Sequence, residues 1–354
     1  MIKDSGMILD VDEKPELWTG ILLSFQHVFS MFGATILVPI ITGLPISVAL
    51  LMSGVGTLLY HFITQSKVPV YLGSSFAFIG AMQIAIEQLG GDVSAAQTGI
   101  MIAGLTYILI AFISLRAGTK WLDKLMPPIV IGPMIVVIGL GLSSTAIQNA
   151  DLVMGGQWQN IVVAASTFLI VAYVNTKARG FLKIIPFLAG IVGGYIIALI
   201  LGIVDLSPVL DAAWFSLPEI YLPFETASFN SFSFHFGAES LAFLPLVLVT
   251  VAEHIGDHTV LSKMTNRNFL KDPGLARTLT GDGVASAVSA FFGGPANTTY
   301  GENTGVIGLT RIASVSVIRN AAIIAILLSF IGKFIALLTT IPTAVIGGMS
   351  IILY

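Results

Sequence analysis

The 354-residue sequence has no cysteine, and charged residues make up only 10% of it. The missing cysteine excludes disulfides, thiolate metal sites and cysteine nucleophiles. The shortage of charge excludes a water-soluble fold of this size, in which about 25% of residues are charged. A cleavable signal peptide is also missing. Residues 1–18 are polar and mixed in charge (Lys3, Asp4, Asp10, Asp12, Glu13, Lys14, Glu16), without the basic start, short apolar region and cleavage site that such a leader needs. The net charge of −3 points to no partner by itself, and neither a nucleic-acid partner nor a cofactor is expected.

What the chain has instead is apolar length. Hydrophobic residues make up 55% of it, in recurring stretches of roughly 18 or more, each able to cross a hydrocarbon core of about 30 Å. Backbone polar groups in lipid must be satisfied internally, by helices or closed barrels. Runs that are continuous rather than alternating select helices, so the fold class is an all-α polytopic membrane protein. The predicted spans are 18–39, 45–65, 70–88, 97–115, 127–147, 159–176, 184–204, 239–261, 278–292, 296–310, 319–339 and 342–354. With the N-terminus in the cytoplasm, every Lys and Arg except Lys333 falls on an inward-facing segment, as the positive-inside rule requires. The outward loops carry Glu87, Asp92, Asp151, Asp205, Asp211, Glu219 and Glu225. The chain is expected to be a multi-pass protein of the cytoplasmic membrane with its N-terminus inside.

Two spans are irregular. The third opens Pro69-Val70-Tyr71-Leu72-Gly73-Ser74-Ser75-Phe76, and the tenth opens Pro295-Ala296-Asn297-Thr298-Thr299-Tyr300-Gly301-Glu302-Asn303, too polar to face lipid. Interrupted segments in matching positions of two halves point to a transporter binding site. Three local matches indicate such halves. Pro127 to Met134 and Pro342 to Met349 share Pro, Val, Ile, Gly and Met in register; Gln26-His27-Val28 lies over Glu253-His254-Ile255; and Pro69 to Phe76 lies over Pro295 to Glu302. The near-common offset implies a duplicated unit of seven spans. Spans 1 and 8 run in opposite directions, so the repeat is inverted, and the given chain is expected to end within the twelfth segment of fourteen.

Ionisable groups at membrane depth are costly and are functional candidates by default. Span 8 concentrates Glu253, His254, Asp257 and His258. Helical spacing puts Glu253 and Asp257 on one face, with the two histidines beside them. Glu302 sits inside the irregular tenth span. A lone buried Glu can do no more than join two helices, but two Glu, an Asp and two His on the two marked spans point to a site. A carboxylic acid enters lipid far more cheaply neutral than ionised, so Glu253, Asp257 and Glu302 are candidate proton carriers. His27 reads as a structural hydrogen-bonding residue, His61 and His235 as interfacial, Asp282 as a helix-start residue, and Lys333 as a snorkelling or paired cation. A zinc site is disfavoured: His254 and His258 have the spacing of HExxH, but Ile255 follows the first His where Glu is needed.

The run Glu302-Asn303-Thr304-Gly305-Val306-Ile307-Gly308-Leu309-Thr310-Arg311 resembles the signature of the nucleobase–ascorbate transporter family, also called nucleobase–cation symporter 2. Gln26-His27, Gly73-Ser74-Ser75-Phe76-Ala77 and Ala252-Glu253-His254-Ile255-Gly256 are similar to further motifs of that family, and the likeness covers almost the whole chain. The resemblance implies fourteen segments in two inverted seven-span repeats, with short antiparallel strands in segments 3 and 10. It implies a core of residues 1–126 and 239–341, and a gate of residues 127–238 continuing in 342–354, with dimerisation through the gate. By the same resemblance the substrate is uracil, imported by proton symport with alternating access. Glu253 and Glu302 then hold the polar edge of the pyrimidine, backbone amides at Phe76 and Gly301 add hydrogen bonds, and Ala34, Phe76, Tyr300 and Tyr354 line the walls. Asp257 stands where uracil transporters of the family often carry a histidine implicated in proton coupling. The coupled proton is therefore assigned to the set Asp257, Glu253, Glu302 and His258, without a choice among them. Xanthine, uric acid or another nucleobase remains an alternative substrate. An anion exchanger of the same fold and an intramembrane hydrolase are weaker ones, because the chain offers carboxylates where an anion site needs positive charge and shows no complete catalytic constellation.

Overall fold

A computed structural model describes residues 6–125 and 128–353. Its elements run, in order, α1 (Leu17–Thr42), α2 (Ile46–Ile63), β1 (Leu72–Ser74), a 3-10 turn (Phe76–Phe78), α3 (Ile79–Gln88), α4 (Ser94–Ala117), α5 (Lys120–Leu125), α6 (Pro128–Asn149), α7 (Trp158–Lys177), α8 (Pro186–Ile200), α9 (Ser207–Asp211), β2 (Tyr221–Leu222), β3 (Asn230–Ser231), α10 (Ala238–Leu241), α11 (Phe243–Thr265), α12 (Leu275–Phe291), β4 (Asn297–Thr299), α13 (Gly301–Thr310), α14 (Val315–Ser329), α15 (Gly332–Thr339) and α16 (Thr343–Leu353). Among the described residues, five helical stretches are long and apolar enough to cross a membrane: α1, α2, α4, α7 and the run Ala238–Thr265. A sixth is the pair α15 and α16 if it counts as one span bent by 74°.

The chain divides into two compact units, residues 1–132 with 218–329 and residues 133–217 with 330–354. In the first unit, packing partners come in matched sets. Helix α2 packs on α14 and α12 on α4; α1 also meets α14 and α11 meets α4; β1 lies beside α2 and β4 beside α12. The α4–α12 crossing depends on absent side chains, since a Cβ on Gly104 would stand 2.6 Å from the Gly283 carbonyl and one on Gly283 would stand 2.6 Å from the Gly104 carbonyl. Such close backbone approach is how helices associate where lipid supplies no hydrophobic drive. Left-handed residues end the helices that matter below: Gly43 after α1, Asn266 after α11 and Arg311 after α13.

The second unit packs α7, α8 and α16 together, with Tyr195 and Thr340 hydroxyls 2.6 Å apart. The sequence predicts one continuous span over 319–339, but the structure breaks it between α14 and α15. At the break the backbone leaves the helix to pair with residues 214–216: Ser216 N donates to Phe330 O (3.0 Å) and Gly332 N to Trp214 O (3.0 Å). Lys333 then has a purpose inside an otherwise apolar segment. Its Nζ donates to the carbonyls of Val209 and Leu210 (2.8 and 2.9 Å) at the end of α9, where cations are favoured by the helix dipole.

Candidate substrate and proton site

In the first unit, β1 and β4 pair antiparallel, with Leu72 opposite Thr299, Gly73 opposite Thr298 and Ser74 opposite Asn297. The ladder is extended at both ends by Ser75 N to Ala296 O (2.8 Å) and Tyr300 N to Tyr71 O (3.1 Å). Three-residue strands satisfy the extended backbone, as membrane depth demands. Each strand then turns into helix, β1 through the 3-10 turn into α3 and β4 through Tyr300 into α13. A ten-residue α13 is only about 15 Å long, half of a hydrocarbon core. The N–H groups of a first turn have no partner within their own helix and carry partial positive charge. Those of Gly301 to Asn303 open beside the strand pair.

Tyr300 is buried at 4% exposure, its hydroxyl donating to Ser74 O (2.8 Å) and accepting from Thr35 Oγ1 (3.2 Å). Its ring lies on Gly73, where a Cβ would stand 2.5 Å from the ring. That contact explains glycine in the middle of a β-prone strand. Ala34, next to Thr35 in α1, is also buried. Phe76 is half-buried and Gly301 exposed. Tyr354 lies outside the described residues.

Helix α11 carries Glu253 and Asp257 one turn apart. Glu253 is exposed, while Asp257 and Glu302 are partly exposed. A Cβ on Gly301 would stand 3.5 Å from Asp257 Oδ1, so this carboxyl reaches the first turn of α13. Its other oxygen, Oδ2, is buried without a hydrogen-bond partner. Glu253, Asp257 and Glu302 are near enough for the charge of Asp257 and of Glu302 to act on Glu253. No Lys or Arg occurs in residues 68–88, 239–262 or 296–310, so no cation from these segments compensates the three carboxyls.

Behind this face is a buried polar layer that sequence reasoning resolved only in part. His254 Nδ1 lies 2.8 Å from Asp282 Oδ2 and its Nε2 lies 2.9 Å from Thr278 Oγ1. Thr299 directs its N–H (3.4 Å) and its hydroxyl (3.3 Å) at Asp282 Oδ2. His258 stacks on His254 with ring centroids 3.9 Å apart, and its Nδ1 lies 2.8 Å from the His254 carbonyl. A carbonyl only accepts, so Nδ1 carries the hydrogen and Nε2 accepts from Tyr60 Oη at 2.6 Å. His258 is thus within the core rather than at the carboxylate face. Asp282, expected at a helix start, is instead in the middle of α12 and fully buried. Its partners come from α11 and β4, and nothing near it in the sequence signals them. His61, expected at an interface, is buried with Nε2 2.9 Å from Val70 O, whereas His235 is half-exposed beside Glu239 at 3.4 Å. His27 is the hydrogen-bonding residue expected of it: Asn303 Nδ2 donates to both its Nδ1 and its carbonyl (3.1 Å each), tying α1 to the first turn of α13.

The model of the permease family matches residues 19–354. The uracil permease of Bacillus subtilis (strain 168) is 46% identical over 354 residues, covering 98% of this chain and 80% of that protein. The uracil permease of Escherichia coli (strain K12) is 42% identical over 350 residues, covering 98% of this chain and 79% of that protein. Among solved structures, the transmembrane domain of a cyanobacterium bicarbonate transporter, BicA, is similar with a TM-score of 0.69 over 97% of this chain and 89% of that one. At 19% identity that likeness concerns the fold alone. With a family match along nearly all of its length and relatives of this identity, the chain belongs to the permease family, in agreement with the resemblance carried by Glu302 to Arg311.

Proposed function

We propose that this permease imports uracil by proton symport, and that Glu253 and Glu302 accept from the two N–H groups of the pyrimidine. The observation that carries the reading is the grouping of Glu253, Asp257 and Glu302, with Asp257 reaching Gly301 in the first turn of α13. Uracil is flat and neutral, with N–H donors and carbonyl acceptors along one edge. Carboxylates accept from the former, amides at Phe76 and Gly301 donate to the latter, and Phe76 covers a ring face. Tyr300 and Ala34 back the pocket from inside the core. Relatives named uracil permease support this substrate over xanthine or uric acid.

Three like charges on one low-dielectric face repel, and a proton taken up with the substrate relieves that repulsion. Asp257, Glu253 and Glu302 hold this proton, and His258 supports them through the buried layer. Carrying it inward adds roughly 2.3 kcal/mol per 100 mV of membrane potential. Residues 1–126 and 239–341 act as the core of an alternating-access cycle and residues 127–238 and 342–354 as the gate, within an inverted repeat of seven segments. The matched packing of α1, α2, β1 and α4 with α11, α12, β4 and α14 supports this repeat. The protein works in the cytoplasmic membrane with its N-terminus inside, and dimerises through the gate.

The test is uptake of radiolabelled uracil into proteoliposomes with an inward proton gradient, with and without a protonophore, and with xanthine as competitor. Accumulation that collapses with the protonophore and resists xanthine is expected. Uptake indifferent to the protonophore would overturn proton coupling, and competition by xanthine at equal concentration would overturn the substrate.

A further inference from the structure

The helices that carry the three carboxyls, α11 and α13, end beside the same short segment of chain. Ile8 N donates to Arg311 O (2.8 Å), Ala313 N to Leu9 O (2.8 Å) and Val315 N to Val11 O (3.1 Å), so residues 8–11 run as an added parallel strand along the linker between α13 and α14, with Leu9 bridged to Ile312. Ser314 Oγ donates to the carbonyl of Glu13. Val11, at 1% exposure, and Met7 are pressed into the unit. The other helix is reached by charge. Arg267, directly after the Asn266 cap of α11, places its guanidinium 2.8 Å from Asp12 Oδ2 and 3.3 Å from Asp10 Oδ1. One segment therefore grips the C-terminal ends of both site helices, while Asn303 and His27 hold the opposite end of α13 to α1, into which the same segment leads.

We propose that residues 7–13 are a strap that positions α11 and α13 relative to one another, with Asp10, Asp12 and Arg267 as positioning residues for the carboxylate face. The backbone pairing and the buried Val11 hold the strap to α13, and the two ion pairs extend that hold to α11. An isolated surface ion pair does little, but one guanidinium shared by two carboxylates of a segment already fixed by backbone bonds loses less entropy on pairing. A short α13 makes the strap consequential. Ten residues leave few turns between its clamped C-terminus and Glu302, so loosening at Arg311 reaches the first turn that faces the substrate.

The readout in terms of uracil rests on the proposed function, and amide exchange does not. The variants are Asp10→Asn with Asp12→Asn, Arg267→Gln, a charge exchange (Asp10→Arg and Asp12→Arg with Arg267→Asp), and Val11→Asp, measured in the full chain in membranes or detergent. Hydrogen exchange at Ala313 and Val315, and at Thr304, whose N–H is bonded to Tyr300 O across the first turn of α13, is expected to quicken in the neutralised and Val11→Asp forms and to recover with the charge exchange. The uracil KM is expected to rise about threefold to fivefold without a matching fall in Vmax per folded molecule. Faster exchange at 313–315 with unchanged exchange at Thr304 and unchanged KM would reduce the strap to a structural end and overturn the proposal. Unchanged exchange at every site would overturn it as well. If the native chain takes up no uracil, the proposed function fails, and exchange at Thr304 decides the strap alone. Should Val11→Asp fail to fold, the neutralised and charge-exchanged forms keep the comparison intact.

Discussion

At the scale of single residues, the carboxyls of the site differ in surroundings and so in expected role. Glu302 sits in the first turn of α13 and Glu253 lies open on α11, and the proposed function has both accept hydrogen bonds from a neutral ligand. A hydrogen bond to a charged group is worth about 1.5–3 kcal/mol. Glu253→Gln or Glu302→Gln should therefore raise the uracil dissociation constant about 10- to 100-fold, measured by scintillation proximity on purified protein. Asp257 stands apart. It points at Gly301 with one oxygen unpartnered, a geometry suited to gaining and losing a proton without breaking an existing bond. Asp257→Asn, which cannot exchange that proton, should still bind uracil but lose accumulation driven by an inward proton gradient. A variant that accumulates uracil with the native pH dependence would remove Asp257 from the coupling.

At the scale of elements, the strand pair depends on a residue buried behind the carboxylate face. Asp282 collects His254 from α11 and Thr299 from β4, holding the strand that leads into Tyr300 and Gly301. Leaving a buried polar group without its hydrogen-bond partner costs about 1–3 kcal/mol, and Asp282→Ala strands both His254 and Thr299, so it should lower thermal stability clearly, read by fluorescence-detected size-exclusion after heating. Asp282→Asn, which still accepts from Thr299, should lose less. Stability equal to native in Asp282→Ala would mean that the pair carries no load. The sequence foretold irregular backbone here, through the small and polar run at 295–303, but it misplaced Asp282 because hydropathy and spacing describe neighbours along one chain segment. The partners of Asp282 are 28 and 17 residues away. The break at Phe330–Ile331 was hidden for the same reason: its cause, the carbonyl and N–H of Trp214 and Ser216, is more than a hundred residues upstream.

At the scale of the whole molecule, charge distribution predicts an orientation. With the N-terminus inside, every Lys and Arg except Lys333 falls on a predicted inward segment, and the cost of moving Lys and Arg across the membrane during insertion favours that arrangement. The cysteine-free sequence allows a clean test with single introduced thiols. A membrane-impermeant maleimide added to intact cells should label Asp205→Cys, and should label Lys177→Cys only after permeabilisation. The reverse pattern would invert the topology and, with it, the direction of transport.

The sequence by itself determined that the chain is helical and membrane-embedded, that its exceptional segments begin near Pro69 and Pro295, and that Glu253, Asp257 and Glu302 are the residues to watch. These follow from local composition: apolar length, the cost of intramembrane charge, and small polar residues where lipid forbids them. Only the tertiary structure decided the register of Leu72–Ser74 on Asn297–Thr299, the seating of Tyr300 on Gly73, the tie between Asp282 and His254, and the hold of residues 8–12 on Arg267 and Arg311. Each of those joins residues from distant parts of the chain through a few directional hydrogen bonds or one close contact. Such contacts are fixed by packing after the helices have formed, and they leave no periodicity in the sequence to be read beforehand.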